Sequence, residues 1–319
     1  MGVGGTGDPP VAGVCGLVFS VIPAACDMIL GETWETAASQ SRLGWELCKG
    51  SIRMATYDCR MSLVTCVVDA NIATITLRRS EKLNSLNEQM IRELQAALET
   101  AAAEARVAVI RAEPGVRVFS AGHDISDVAV GVSDPSAWEN PVEQLLAGIP
   151  KLAIPVIAAV EGSVWGAACN LVVACDIVVA TRTSSFAITP AKLGVAYFPD
   201  GIAEFAAVLP LHVAKEMFLT AQPLAVEDAH RWGLVNRVVA DEAELTAVVA
   251  QLSAGVAALA PLTLRSVKAE FAAVTGAEPP SVELLAELTE LRRTAWRSAD
   301  FREGVAAFNE RRRPVFRGR

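Results

Sequence analysis

The sequence predicts an α/β protein with strands and helices in alternating layers, and three observations carry that reading. Short β-branched runs of five or six residues recur, each bounded by turn residues, as strands require. Between them lie stretches whose apolar residues return every three or four positions, the period of a one-sided helix. Hydrophobic residues make up 52% of the 319-residue chain against 20% charged, enough for a sizeable core and too apolar for disorder.

In order along the chain, Val64 to Val68 and Ile72 to Leu77 read as a hairpin, with Asp69-Ala70-Asn71 as its turn. Ser85 and Glu88 have the spacing of a capping box. A helix follows on Met90, Ile91, Leu94, Ala97 and Leu98. Val107 to Arg111 is the next strand. The strand–strand–helix order then returns: Pro155 to Val160, a helix from about Gly166, Ile177 to Ala180, and Phe186 to Ile188. Asp127 to Pro141 is rich in turn residues and is expected to be a loop beside any site. After Ala191 the chain turns mostly helical. The expected helices are Val213 to Leu219, Val226 to Trp232, Glu242 to Ala260, Pro261 to Val274, Val282 to Arg297 and a basic one from Phe301 to Arg313.

Residues 1–60 differ. Val11 to Cys26 is uncharged and apolar, but it is shorter than the roughly 20 residues that cross a bilayer, and no basic residue precedes it. The segment is expected to be an N-terminal extension. Either it lies upstream of a true start at Met54 or Met61, or it is a short membrane-associated or partner-binding piece. The domain expectation is this extension, a core over 61–255 and a helical region over 256–319.

The formal net charge of −8 argues against a nucleic-acid partner, which calls for a basic face. Seven scattered cysteines, odd in number and without a C-x-x-C pair, point to reduced thiols in a cytoplasmic protein. With only three histidines, no metal site is expected. No P-loop is present.

Two runs carry the candidate chemistry. Val118 to Ile125 reads V-F-S-A-G-H-D-I, and Val160 to Asp176 reads V-E-G-S-V-W-G-A-A-C-N-L-V-V-A-C-D. The small residues Ser120, Ala121 and Gly122 let another group approach the backbone closely. Gly166-Ala167-Ala168 stands where a helix begins, and a helix start offers N–H groups without intrahelical partners. Two such N–H groups, one from each run, can clamp a single carbonyl oxygen. His123 has two readings, an imidazole base or a backbone donor. Asp124 reads as the residue that fixes its turn by local hydrogen bonds. Trp165 reads as a pocket wall or a core aromatic.

These two runs, followed by T-P-A-K-L-G-V-A-Y at 189–197, resemble the crotonase (enoyl-CoA hydratase/isomerase) superfamily from about Met61 to the C-terminus. The resemblance implies a crotonase-like ββα spiral core with a C-terminal helical region, and a homotrimer or homohexamer. It implies that the backbone N–H groups of His123 and Ala167 form an oxyanion hole for a thioester carbonyl. Ala121, Gly122, Asp124, Ile125, Trp165, Gly166 and Asn170 would then line the acyl-CoA site. Arg78, Arg79 and Lys82 stand where family members meet the phosphates of coenzyme A, and Arg311-Arg312-Arg313 are placed to assist. Coenzyme A enters as the substrate's carrier, and no separate cofactor is implied.

Within the superfamily, hydratases work with two glutamates; this chain has Asn170 and Ala191 at those places, and neither can move a proton. Tyr197 instead matches the tyrosine of the members that decarboxylate malonyl-type thioesters. The resemblance therefore implies decarboxylation of methylmalonyl-CoA or a similar thioester through an enolate. The alternatives are hydratase/isomerase chemistry with a relocated acid or base, such as Asp200 or Glu204, and a non-catalytic acyl-CoA-binding protein. Asp200 is expected to repel a carboxylate substrate if it faces the pocket.

Overall fold

The hairpin forms as expected. Strands β1 (Val64–Asp69) and β2 (Ile72–Leu77) pair antiparallel from Val64–Leu77 to Asp69–Ile72. Ala70 and Asn71 both take positive φ, 47° and 65°, the two-residue turn that matches the twist of paired strands. The computed structural model describes residues 62–127, 141–275 and 279–319. The expectations for residues 1–60, and for the loop within Asp127 to Pro141, fall on residues outside these.

Helix α1 (Glu88–Glu104) buries Met90, Ile91, Leu94, Ala97 and Leu98, the stripe its period predicts. Its cap is not the expected one. Asn87 is the capping residue, and its side chain accepts from the Met90 N–H at 2.9 Å. Ser85 lies one residue pair too early and bonds elsewhere.

The rest of the core is a spiral. Strand β3 (Val107–Ala112) joins the first sheet and β4 (Val118–Ser120) starts a second. After α2 (Pro141–Gly148) come β5 (Val156–Val160), β6 (Ser163–Trp165) and α3 (Ala167–Val173). Then β7 (Ile177–Thr181) and β8 (Ser185–Ala187) repeat the step. Each turn thus lends one strand to each sheet. With the later strands β9 (Leu224–Ala225) and β10 (Arg237–Val239), the larger sheet runs β1-β2-β3-β5-β7-β10 and the smaller β4-β6-β8-β9, parallel from β2 through β10 and from β4 through β8. Strand β5 is buried along its whole length because helices cover both faces of its sheet, which explains its unbroken apolar sequence.

Four further elements follow: α4 (Pro199–Val208), α5 (Leu211–Thr220), β9 (Leu224–Ala225) and α6 (Val226–Arg231). Strand β10 (Arg237–Val239) closes the large sheet. Helix α7 (Glu242–Ala257) lays Leu245 and Val249 on the face formed by Val107, Val109, Ile157 and Val179. The three last helices, α8 (Pro261–Val274), α9 (Val282–Arg297) and α10 (Ala299–Glu310), keep close to their expected bounds. Lys268 on α8 is only 7% exposed, and its Nζ donates to Asp176 Oδ2 at 2.6 Å and to the Ile154 carbonyl at 3.0 Å. A buried ammonium needs such partners, and these bind α8 to the spiral.

Two helices, α2 and α4, and the short strands β4, β9 and β10 were not legible in the sequence. Phe198 caps α4, and Pro199 sits in its first turn where its missing N–H costs nothing. The C-terminal helix stops at Glu310 because Arg311 adopts left-handed φ of 54°. Arg312 turns back onto Glu303 at 2.8 Å and onto Glu310, so it is engaged within its own segment.

Candidate active site

The first run is stitched down by buried polar groups. Asn84 is fully buried; its Nδ2 donates to the Phe119 carbonyl at 3.0 Å and its Oδ1 accepts from the Arg79 N–H at 2.8 Å. The Ser120 hydroxyl donates to the Asn84 carbonyl at 2.7 Å. The Ala121 N–H donates to the Leu83 carbonyl at 2.9 Å. Beyond it, the Leu86 N–H donates to the Gly122 carbonyl and the Asp124 N–H to the Leu86 carbonyl, which makes a short parallel bridge opposite His123. In such a bridge the residue between the two bonds turns its own N–H away from the partner chain. The His123 amide is therefore directed away from Leu86.

Asp124 does what its sequence reading predicted. Its carboxylate accepts from the Ser126 hydroxyl and N–H, from Arg79 at 2.6 Å and from Ser85 at 3.0 Å. The Ser126 hydroxyl, with Arg79 and Ser85 behind it, holds this carboxyl well below the usual range despite partial burial. Arg79 is thereby committed to the turn, and to the Ser85 carbonyl, instead of standing free for a phosphate. Lys82 is exposed one turn away, and Ile125 is 61% exposed at the end of the run.

The second run meets the first at Gly122. A Cβ on Gly122 would lie 2.5 Å from the Trp165 carbonyl oxygen and 2.9 Å from the Ala167 nitrogen. With φ of +82°, the position is closed to other residues both by conformation and by space. The predicted close approach is therefore between the two motifs themselves. Gly166 caps α3 with φ of 54°, and Ala167, the first residue of α3, has no acceptor four residues back within its helix. Trp165 is half-buried on β6 beside this junction.

One turn along α3 from Ala167 stands Asn170, fully buried and on the same helix face. Its Nδ2 donates to the Gly201 carbonyl at 3.0 Å and to Glu204 Oε2 at 2.6 Å. A carbonyl oxygen only accepts, so the amide orientation is fixed, and Oδ1 is left to receive the Tyr197 hydroxyl. Tyr197 stacks on Phe198 at 4.9 Å and meets Phe218 edge-on at 5.0 Å. Gly201 gives these rings their room, since a Cβ there would fall within 2.6 Å of the Phe198 ring and 2.9 Å of the Tyr197 ring.

Burial, with the Glu204 charge nearby, pushes the Tyr197 phenol upward, so it stays protonated. Burial also raises the Glu204 carboxyl; the Asn170 bond opposes the shift and Asp200 adds to it. Cys169 is pushed up to about 12 by burial and is no nucleophile at neutral pH. Asp200 itself is exposed in the first turn of α4, and Ala191 is exposed in the short helix before Tyr197. Among the described residues no three metal-binding side chains gather, and no single helix is long and apolar enough to cross a membrane.

The structure brings together Gly122, His123, Trp165, Gly166, Ala167, Asn170 and Tyr197. Glu204 belongs with them, and the sequence named it only as an alternative acid or base. Its signal was the spacing of four from Asp200 on a helix, which was invisible while α4 went unread.

Comparison with known proteins accords with this geometry. The pattern of the enoyl-CoA hydratase/isomerase family matches residues 68–319. Methylmalonyl-CoA decarboxylase of Escherichia coli (strain K12) is 35% identical over 256 residues, covering 80% of this chain and 98% of that protein. A probable enoyl-CoA hydratase of Rhodobacter capsulatus is 35% identical over 256 residues, covering 79% and 96%. A crystal structure of methylmalonyl-CoA decarboxylase complexed with 2S-carboxypropyl-CoA superposes with a TM-score of 0.66 at 34% identity, over 81% of this chain and 99% of the other. With a spiral of two sheets, both motifs joined at Gly122, and these matches over four-fifths of its length, the chain belongs to the enoyl-CoA hydratase/isomerase (crotonase) family of acyl-CoA-processing enzymes.

Proposed function

We propose that the enzyme decarboxylates methylmalonyl-CoA, or a similar malonyl-type thioester, to the saturated acyl-CoA. The observation that carries this reading is the Tyr197 hydroxyl, held by Asn170 one helical turn from Ala167, where hydratases have a glutamate. The thioester oxygen is received by the His123 and Ala167 N–H groups, each donor contributing about 3 kcal/mol to an enolate by analogy with other oxyanion holes. The substrate carboxylate turns the phenol proton away from Asn170 Oδ1, because a charged acceptor makes the stronger bond. With that group held out of the carbonyl plane, the bond to it breaks, carbon dioxide leaves, and its electron pair enters the thioester as an enolate. A proton from water then completes propionyl-CoA. This chemistry calls for positioning, not for a strong base, a metal or a redox group.

Mass spectrometry of protein incubated with methylmalonyl-CoA and malonyl-CoA tests the reading. Propionyl-CoA well above the no-enzyme rate is the expected result, and no loss of carbon dioxide from either thioester overturns it. The second reading, hydration or isomerisation by a relocated carboxylate, is favoured by Glu204 lying against Asn170. Hydration of crotonyl-CoA would move it ahead. Binding of acyl-CoAs with no turnover of any would instead favour a non-catalytic carrier. The homo-oligomer and the cytoplasmic location belong to the same proposal; sedimentation velocity tests the first, and fractionation the second.

A further inference from the structure

We propose that Glu204 is a specificity-determining residue: its charge, carried to Tyr197 through Asn170, sets how well the site accepts a carboxylate-bearing acyl group. The inference rests on the reading that Tyr197 meets the substrate carboxylate.

Three hydrogen bonds place Glu204 in this role. Asn170 Nδ2 is shared between Glu204 Oε2 at 2.6 Å and the Gly201 carbonyl at 3.0 Å, and Oδ1 takes the Tyr197 proton. The Gly201 carbonyl prevents the amide from turning over, so Glu204 cannot exchange its place with Tyr197. An ionised Glu204 polarises the amide, which makes Oδ1 a stronger acceptor and holds the phenol proton more firmly. It also puts a poorly screened negative charge two hydrogen bonds from the place where the substrate anion is received. Both effects oppose a carboxylate and leave an uncharged acyl group alone. A neutral Glu204 removes both.

The groups around Glu204 favour the neutral form. Asp200 precedes it by one turn on α4 and adds like charge; from α3 comes the uncharged Asn170; from the preceding loop comes the neutral Tyr197 phenol. Among the described residues no basic side chain pairs with Glu204. The site accordingly carries a titratable filter that admits acyl carboxylates better as pH falls.

Calorimetry on the full chain tests this, with 2S-carboxypropyl-CoA as the carboxylate probe and propionyl-CoA as the neutral one, for the wild type, Glu204→Gln and Glu204→Leu. At pH 8, Glu204→Gln is expected to bind the carboxylate probe about tenfold tighter, the equivalent of one pKa unit of interaction. Propionyl-CoA should change by less than about twofold. As pH falls through the raised titration of Glu204, the wild type and Glu204→Gln should converge. Glu204→Leu, which removes the charge as well, should likewise tighten the carboxylate probe, since the Gly201 carbonyl still fixes the amide. An equal change for both ligands in Glu204→Gln, or a difference that does not narrow as pH falls, overturns the inference. Because binding is read, the result stands apart from turnover. A selective change in an enzyme that decarboxylates nothing would sink only the proposed reaction, whereas turnover without the selective change would sink only the role of Glu204.

Discussion

The site has two walls, and they are built by different means. The wall of Gly122, His123 and Ala167 is backbone: a glycine of positive φ where a Cβ would fall 2.5 Å from the Trp165 carbonyl oxygen, and a helix start. The wall of Asn170, Tyr197 and Glu204 is side chain: one amide holding a phenol on one side and a carboxylate on the other. The first depends on what cannot fit there, the second on which way each polar group points. Substitutions should therefore break the first wall by sterics and tune the second by charge.

The largest effect is expected for Gly122→Ala. The added methyl meets two backbone atoms that cannot swing aside and requires a strained φ, so a loss of about 3 kcal/mol or more is expected. Denaturant unfolding measures it, and a variant as stable as the wild type would refute the close junction of the two runs. Tyr197→Phe comes next. It removes the one hydroxyl on Asn170 while keeping the rings on Phe198 and Phe218, so the fold should hold while decarboxylation falls by about tenfold or more. Unchanged kcat/KM would show that the side-chain wall takes no part.

A smaller effect lies in the opposite pH responses of the two walls. Asp124, depressed by its hydrogen bonds, lends stability that is present above the ordinary aspartate pKa and lost as pH falls through its lowered value. Glu204, raised by burial, lends stability that is present below the ordinary glutamate pKa and lost as pH rises through its raised value. Thermal melts should therefore show Asp124→Asn losing its deficit toward acid pH. Glu204→Gln should gain on the wild type from mildly acidic to neutral pH. If both variants shift in the same direction with pH, the contrast between the walls is wrong.

Legibility followed the same division. The strands β1, β2, β3, β5, β7 and β8 and the helices after Glu242 announce themselves by local period, because each buries one face whatever its neighbour is. Small residues at Ala121, Gly122 and Gly166 marked the backbone wall, since few other reasons put so many small side chains at a strand end. The cap at Asn87 was missed because two residues nearby had the right chemistry, and only register chooses between them. The resemblance offered Arg79 and Arg312 for the coenzyme A phosphates, and each bonds a carboxylate that the sequence does not place beside it. Helix α4 was hidden by its proline, and with it the position of Glu204.

The sequence by itself determined the layered α/β class, the two motif runs, the absence of the hydratase pair at Asn170 and Ala191, and Tyr197 as the remaining polar group. The class and the two runs rest on residue type and short spacing, which survive without a fold; the missing pair and Tyr197 rest on what the family resemblance implies. Tertiary structure alone decided that Gly122 touches Ala167, that Asn170 faces Gly201, and that a carboxylate thirty-four residues away completes the amide's bonds. The physical reason is that hydrogen-bond direction and burial are set by elements distant in the chain, and a linear sequence does not record which way an amide turns.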